Sequence, residues 1–194
     1  MKHQKLVIII SGTPGTGKTS VARELKEWYS ALHINLTDLA IENNLIIKND
    51  VDRETKIVDL GKLIPFLENL IKSHSSNIII EGHYADIVPD SLISIIIILR
   101  TNPHVLERRL KEKQFSFSKI QENLQSEILG SCTSAALETH KRKKIYEVDN
   151  SNISVQKTVK LIQIFIEKKP PSNVGKINWM HKLEENNELL KYFP

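Results

Sequence analysis

Eight residues near the start of the chain, Gly12–Thr19, have the types and the spacing that phosphate binding requires. They read GTPGTGKT and fit the pattern G-x-x-x-x-G-K-[ST]. Glycines let a backbone curl until its N–H groups point at phosphate oxygens, and a following helix adds the positive end of its dipole. Lys18 can then reach the β- and γ-phosphates of a nucleotide, and the Thr19 hydroxyl can bind Mg²⁺. The pattern therefore predicts a nucleoside triphosphate site rather than an ordinary glycine-rich turn.

The elements around this loop predict an open α/β fold with a parallel sheet. Apolar runs of strand length alternate with longer patterns of helical period. Several runs are nearly continuous in Val, Ile and Leu, as expected of strands covered on both faces. The predicted strands are residues 5–11, 32–36, 77–81, 93–99 and 144–148, and the predicted helices are residues 18–30, 57–73, 102–113, 118–140 and 154–168.

Length and composition indicate one globular domain. The chain has 194 residues, of which 40% are hydrophobic and 26% charged. We predict a single domain over residues 1–169 and a C-terminal appendage over residues 170–194, because Pro170 and Pro171 cannot continue the last helix. The longest apolar run is far shorter than the ~20 residues of a membrane span, so no membrane association is expected. The single cysteine, Cys132, cannot form an internal disulfide, which favours a reducing compartment and a cytoplasmic location.

The charge of the chain is only mildly basic, but it is locally concentrated. The net charge is +4, from 27 basic and 23 acidic side chains. Residues 140–144, HKRKK, form the densest basic cluster. Such a cluster can indicate a surface for an anionic partner such as RNA, but a basic helix terminus is its commoner explanation. Both interpretations stay open at this point.

Two segments suggest that the bound triphosphate serves a small kinase. A guanine-selective Asn-Lys-x-Asp stretch is absent, and the chain is too short for a large motor. Small kinases carry an acceptor-binding insertion after the first helix and a mobile lid after the fourth strand. Residues 35–58 are polar with weak periodicity and suit a short acceptor insertion, and residues 112–122 interrupt two helix patterns as a short lid would.

At this point the sequence resembles a known family, the small adenylate-kinase-like proteins of archaea and eukaryotes that act in small-ribosomal-subunit maturation (the adenylate kinase isoenzyme six type). The resemblance covers most of residues 5–130. The matching stretches are GTPGTGKTS, HINLTDLAIENN, DRETKIVD, EGHYAD and LRTNPHVLERRLKEKQFSFSKIQENLQSEIL. The resemblance implies a three-layer P-loop NTPase fold with a five-stranded parallel sheet, and phosphotransfer from ATP to AMP or ATP hydrolysis. It also implies a ribosomal protein of the small-subunit platform as partner, with pre-ribosomal RNA as a further candidate.

Residue by residue, the resemblance assigns an ATP site, a metal site and an acceptor site. The ATP-binding positions are Gly12, Thr13, Pro14, Gly15, Thr16, Gly17, Lys18, Thr19, Ser20, Arg109 and Lys113. Lys113 stands where relatives carry an arginine, and Arg109 either shares its role or only solvates a helix face. Asp38 and Arg53 fall in the acceptor segment, where Asp38 could equally cap a helix.

Two further residues are predicted to take part in catalysis together with Lys18. Glu81 ends a buried strand where many relatives have aspartate, so it is expected to position Mg²⁺ through water, alongside the Thr19 hydroxyl. His83 matches the histidine of the family, and a neutral imidazole there could orient a water or act as a base. Its alternative is a loop histidine without a chemical task.

The departures from ordinary adenylate kinases concern arginine. Ile41 stands where relatives often place an arginine, and no arginine lies between Arg109 and Arg142. Arg53 and Arg100 are candidate substitutes. Because phosphoryl transfer depends on converging positive charge, we expect slow AMP phosphorylation, with ATP hydrolysis as a competitor. Three hypotheses remain: a kinase that assists ribosome assembly, a salvage nucleoside monophosphate kinase, and an ATP-dependent binding module or RNA-associated chaperone.

Overall fold

Five parallel strands form the centre of the molecule. The computed structural model describes residues 5–50 and 55–193. Its strands are β1 (Val7–Ser11), β2 (Leu32–Asn35), β3 (Ile46–Asp50), β4 (Thr55–Val58), β5 (Ile78–Glu81), β6 (Ile95–Arg100) and β7 (Ile145–Asp149). The central sheet has the order β2-β5-β1-β6-β7, and every neighbouring pair in it is parallel. The predicted five-stranded parallel sheet is therefore confirmed.

Helices cover both faces of this sheet and complete the three predicted layers. The helices are α1 (Lys18–Tyr29), α2 (Leu36–Glu42), α3 (Leu60–Ser73), α4 (Pro103–Glu112), α5 (Phe117–Leu129), α6 (Ser131–Thr139), α7 (Val155–Lys168) and α8 (Trp179–Glu185). Alternate residues of β1 point to opposite faces. Ile8 packs with α1 and α7, whereas Ile9 packs with α2, α3 and α6. No helix within residues 5–50 and 55–193 is both long and apolar enough to cross a bilayer.

Two parts of the secondary structure differ from the sequence predictions. The helix predicted over 118–140 is wrong as a single element, because Gly130 takes the left-handed conformation with φ 69° and separates α5 from α6. For the acceptor segment 35–58 the sequence predicted weak periodicity and no hairpin. It contains α2 and the antiparallel hairpin of β3 and β4, whose strands are short and contain no buried residue.

The C-terminal segment after α7 packs on the body of the molecule. β7 is an edge strand, and the side-chain amide of Asn173 bonds to both the N–H and the carbonyl of Glu147, at 2.9 and 2.8 Å. The Ser172 hydroxyl donates to the carbonyl of Ile145 at 2.7 Å. These contacts cover main-chain groups that an open sheet edge would leave unpaired.

A buried ion cluster joins the end of β6 to α5 and β7. Arg100 lies between two carboxylates: its Nε donates to Glu127 Oε1 at 2.9 Å and its Nη1 to Glu147 Oε1 at 2.6 Å. All three residues are at most 3% exposed. The suggestion that Arg100 substitutes for a phosphate-binding arginine is therefore wrong, because its guanidinium is already paired in the interior.

Replacing Arg100 should strongly destabilise the fold. Arg100→Met leaves two buried carboxylates without their shared cation, which costs about 3–5 kcal/mol in the free energy of unfolding. Arg108→Met is the matched control, because Arg108 is exposed and lies 3.9 Å from Glu112 on the surface of α4. That change should alter stability by less than ~0.5 kcal/mol. Urea unfolding measures both variants, and equal stabilities would contradict a structural role of the cluster.

Candidate active site

The backbone of residues 12–17 forms the phosphate loop at the carboxyl end of β1. Gly12, Gly15 and Gly17 have φ values of 139°, 91° and 93°, which L side chains rarely adopt. A Cβ at Gly12 would lie 2.5 Å from the carbonyl oxygen of Leu99, so only glycine fits there. Gly17 occupies the N-cap of α1 and offers no side chain to cap it, which leaves the first N–H groups of the helix available to an anion.

Lys18 lies across this loop rather than extending into solvent. Its ammonium donates to the carbonyls of Gly12 and Thr13, at 2.7 and 3.1 Å. Burial lowers the pKa of Lys18 to about 8, although the negative charges of Glu81 and Glu127 partly offset this effect. The ammonium is therefore held where the sequence pattern predicts a nucleotide's terminal phosphates, and it loses its proton more readily than an exposed lysine does.

Glu81 lies beside the first turn of α1 and has three polar partners. Its Oε2 accepts from the Thr19 hydroxyl at 2.9 Å, and its Oε1 contacts His33 Nε2 at 2.9 Å and Asn35 Nδ2 at 3.4 Å. Burial alone would raise the pKa of the Glu81 carboxyl. The hydrogen bonds from His33 and Thr19, together with the charge of Lys18, hold this pKa below its usual value. Glu81 is therefore an ionised carboxylate although it is only 1% exposed.

The pair formed by Thr19 and Glu81 fits a magnesium ion. A hydroxyl and an ionised carboxylate are hard oxygen ligands, and Mg²⁺ in phosphate-transfer sites is usually held by one or two protein groups together with substrate phosphates and water. In the part of the chain that the structure describes, no three His, Cys, Asp or Glu side chains group as a metal site. The donor set therefore suits a metal that arrives with its nucleotide rather than one caged by the protein.

His83 lies two residues beyond Glu81, near Lys18. His83 is partly open to solvent, yet desolvation by the protein atoms around it lowers its pKa to about 4, helped by the charges of Lys18 and Lys119. The ring packs edge-on against Tyr84 at 4.7 Å between centroids, and the Cys132 thiol donates to the carbonyl of His83 at 3.6 Å. At neutral pH this imidazole is uncharged and can accept a proton.

A cavity of about 480 Å³ opens beside His83 and lies over the β3–β4 hairpin. Its lining comes from α2, both hairpin strands and the loop after β5. The lining residues are Thr37, Asn49, Asp50, Thr55, Lys56, Val58, His83 and Tyr84. The segment predicted to bind an acceptor therefore contributes most of the wall of a cavity that reaches His83.

Asp38, one of the two residues predicted to bind the acceptor, is not among the described residues that line this cavity. Asp38 is exposed in the first turn of α2, and the suggestion that it caps that helix is wrong. Asn35 is the cap, because its side-chain oxygen accepts from the N–H groups of Thr37 and Asp38 at 2.9 and 3.2 Å. Arg53 lies outside the described residues, so its role stays a prediction.

The lid predicted over 112–122 consists of a short turn followed by helix. α4 ends at Glu112, and Lys113 is exposed at its C-cap, where its charge acts on Lys18. Arg109 points to a different loop, donating to the carbonyls of Asn150 and Ser151 at 3.2 and 3.4 Å. Whether either residue binds ATP stays a prediction, but Arg109 does more than solvate a helix face.

The remaining predicted ATP-binding residues belong to the loop or to its continuation into α1. Thr13 and Thr16 are buried, Pro14 is partly exposed and Ser20 is exposed. The Thr16 hydroxyl donates to the carbonyl of Thr13 at 2.8 Å, which tightens the turn. Asn150, which the sequence analysis did not select, donates to the carbonyl of Thr16 from the loop after β7.

Three other neighbours of the site were missed. His33 and Asn35 contact Glu81. Both lie in the predicted strand 32–36, and Glu81 ends the predicted strand 77–81, so the pairing of two parallel strand ends could have indicated this contact. Lys119 lies on α5 and acts on His83 through its charge. It was overlooked because the sequence analysis considered only arginine in the helix after the lid.

The pKa of Lys18 predicts a loss of ATP affinity at alkaline pH. A lysine with a pKa of about 8 is mostly an ammonium at pH 7 and about one-tenth ammonium at pH 9, so ATP should bind about tenfold more weakly at pH 9. Titration calorimetry measures the change, and binding should take up protons near pH 8. Lys18→Arg stays charged throughout this range and should show no such dependence. Constant affinity of the unmodified protein would contradict the assignment.

Comparison with known proteins places the chain in a family. Residues 8–130 match the family described as an AAA domain. A protein of Methanococcus maripaludis named "Putative adenylate kinase" is 31% identical, over 90% of this chain and 96% of its own. A protein of the same name from Pyrococcus furiosus is 32% identical, over 93% and 94%.

A solved structure with a similar fold is the shikimate kinase of Bacteroides thetaiotaomicron, with a TM-score of 0.58, 17% identity and coverage of 84% of this chain and 98% of that one. At this identity the likeness concerns the fold alone. The archaeal relatives go further, because their similarity extends over nearly the whole chain at more than 30% identity. The chain therefore belongs to the adenylate-kinase-like P-loop family that these archaeal proteins represent.

Proposed function

We propose that this protein transfers the γ-phosphoryl group of ATP to AMP, producing two molecules of ADP. The observation that carries the proposal is the position of His83. It lines the cavity over the β3–β4 hairpin and is also close enough to Lys18 for the ammonium to lower its pKa. A phosphate loop and an acceptor-sized cavity thus meet at one residue. The names of the archaeal relatives support the same activity.

In this proposal the loop binds the triphosphate through its inward N–H groups and through Lys18. The ammonium exchanges the carbonyls of Gly12 and Thr13 for phosphate oxygens, which carry full negative charge and are stronger acceptors. Thr19 and Glu81 would hold Mg²⁺, Glu81 through water. When bound, the metal neutralises charge on the β- and γ-phosphates. An oxygen of the AMP phosphate attacks the γ-phosphorus, and the bond to the bridging β,γ-oxygen breaks to release ADP.

ATP hydrolysis is the second candidate, and the neutral imidazole of His83 favours it. The AMP phosphate is already an anionic nucleophile and needs no base. Water does, and an imidazole that is uncharged at pH 7 can accept its proton. Hydrolysis also needs fewer arginines than transfer does, because no second nucleotide has to be held in place. The cations that act on Lys18 and His83 include Lys113 and Lys119, which are point charges without the bidentate fork of arginine.

The two activities separate in one assay. With purified protein and Mg²⁺–ATP, ADP formation that requires AMP indicates the kinase, and phosphate release without AMP indicates the hydrolase. His83→Ala should lower turnover by ~10²-fold or more where His83 acts as a base, and this loss should be larger for hydrolysis than for transfer. His74→Ala, at an exposed loop histidine, is the control and should leave turnover unchanged. Normal turnover of His83→Ala would leave His83 without a chemical task.

We further propose, from the family resemblance, that the protein acts in the cytoplasm on the maturing small ribosomal subunit. The proposed partner is a platform ribosomal protein, with pre-ribosomal RNA beside it. The basic cluster 140–144 offers less free charge for RNA than its sequence suggested. His140 is buried, Arg142 donates to the carbonyl of Val174 at 2.7 Å, and Lys144 pairs with Asp90 at 3.1 Å.

Affinity capture tests this partner. The immobilised protein should enrich small-subunit ribosomal proteins from cell extract, and ATP should change the amount captured by at least twofold. Lys18→Ala, which removes the ammonium from the phosphate loop, is the control and should show no response to ATP. Absence of small-subunit proteins from the captured fraction would contradict the ribosomal role and would leave the kinase proposal to the turnover assay.

A further inference from the structure

The buried carboxylate of Glu127 on α5 connects the C-terminal segment to the phosphate loop. Its Oε1 accepts three bonds, from Arg100 Nε at 2.9 Å, the N–H of Thr101 at 3.0 Å and the indole N–H of Trp179 at 3.0 Å. Its Oε2 accepts one, from the Thr13 hydroxyl at 2.6 Å. A carboxylate is planar, so the three donors that bind Oε1 also fix the direction of Oε2, which faces the phosphate loop.

Thr13 passes this constraint on to the residues that bind phosphate. It is 1% exposed, and its carbonyl accepts from the ammonium of Lys18 at 3.1 Å, from the N–H of Thr16 at 3.2 Å and from the hydroxyl of Thr16 at 2.8 Å. A rotation of Thr13 would therefore displace Lys18 in the ATP-free protein and open the turn whose N–H groups bind phosphate. Its bond to Glu127 is a short, charge-assisted one, which is stronger than a neutral hydrogen bond.

Trp179 is fixed in a position where its indole holds Oε1 of Glu127, the oxygen that faces away from the loop. It is 2% exposed at the start of α8, and the ammonium of Lys182 lies 4.6 Å from its ring centroid. Leu183 of the same helix packs with α4 and α5, and Gln125 of α5 donates to the carbonyl of Tyr192 at 2.7 Å. The segment from α8 to Tyr192 is thus fastened to the helix that carries Glu127.

From these contacts we propose that Trp179 is a positioning residue for the phosphate loop, and that the C-terminal segment thereby sets the affinity of the protein for ATP. Trp179 donates its indole N–H to Glu127 and acts through that carboxylate. The inference rests on the proposed ATP binding at the loop. The inference predicts that a change at Trp179, which lies in the C-terminal appendage 170–194, alters the affinity for ATP.

The first test replaces the indole while keeping an aromatic ring. Trp179→Phe removes the N–H donor to Glu127, and ATP measured by calorimetry should bind ~five- to tenfold more weakly, while AMP affinity stays unchanged. Trp28→Phe is the matched control, because the only other tryptophan is 63% exposed on α1, and it should bind ATP normally. A purely structural role of Trp179 would instead lower the melting temperature without changing ATP affinity at 25 °C, and that result would overturn the proposal.

A double-mutant cycle examines whether the effect runs through Thr13. Thr13→Val removes the hydroxyl that bonds to Glu127. If Trp179 acts through this bond, the losses of ATP affinity from Trp179→Phe and Thr13→Val should be less than additive in the double variant. Additive losses would show that the two residues act independently and would contradict the proposed route.

A spectroscopic test needs no change at position 179. In the Trp28→Phe protein, Trp179 is the sole tryptophan, and coupling between two sites is reciprocal. ATP should therefore shift its fluorescence with the same dissociation constant that calorimetry gives. ATP binding without any fluorescence response would contradict the inference even if Trp179→Phe failed to fold. Failure of the unmodified protein to bind ATP would instead contradict the proposed function.

Discussion

The position of the phosphate loop depends on the burial of one negative charge, that of Glu127. A carboxylate removed from water is costly unless nearly all of its lone pairs are satisfied. The donors that satisfy this one come from the end of β6, from the loop itself and from α8. Few arrangements of these elements can meet that requirement together. The loop therefore takes its orientation largely from outside, since its three glycines with positive φ would by themselves permit many conformations.

Two carboxylates flank the loop, and the exposure of their hydrogen-bond partners shows which one can exchange those partners for a ligand. Glu127 and Glu81 are both 1% exposed. The donors to Glu127 include a guanidinium and an indole that are themselves buried, so these bonds cannot be exchanged for water or ligand without opening the core. The partners of Glu81 are partly exposed, with the His33 side chain 16% accessible. Glu81 can therefore change partners when a nucleotide and its metal arrive, whereas Glu127 cannot.

The parts of the fold that were predictable from sequence depend on local patterns. The strand before the loop, Val7–Ser11, is a continuous apolar run because both of its faces are covered, and the loop follows it directly. The ion cluster is different, because Thr13 and Glu127 are 114 residues apart and Trp179 lies 52 residues beyond Glu127. No local periodicity records such a contact. Arg100 was consequently taken for a surface or phosphate-binding residue.

The acceptor side was harder to predict for a second physical reason. The strands of the β3–β4 hairpin contain no buried residue, so they lack the apolar alternation that reveals a half-buried strand. Its cavity lies at the surface of the molecule, outside the apolar core. The residues that line it, such as Lys56, are thus indistinguishable in sequence from ordinary surface residues.

The two titratable groups at the centre of the site share one electrostatic property. Desolvation by neighbouring protein atoms lowers the pKa of Lys18 to about 8 and, with the charge of Lys18, that of His83 to about 4. The protein therefore opposes positive charge at both groups. A polyanionic phosphate reverses that balance for Lys18, which it contacts directly in the proposed complex. A pKa near 4 leaves His83 more than two units of margin before it would be protonated at neutral pH. Bound phosphate would thus restore the full charge of the lysine while the imidazole stays neutral, so one environment supports an electrostatic clamp and a proton acceptor side by side.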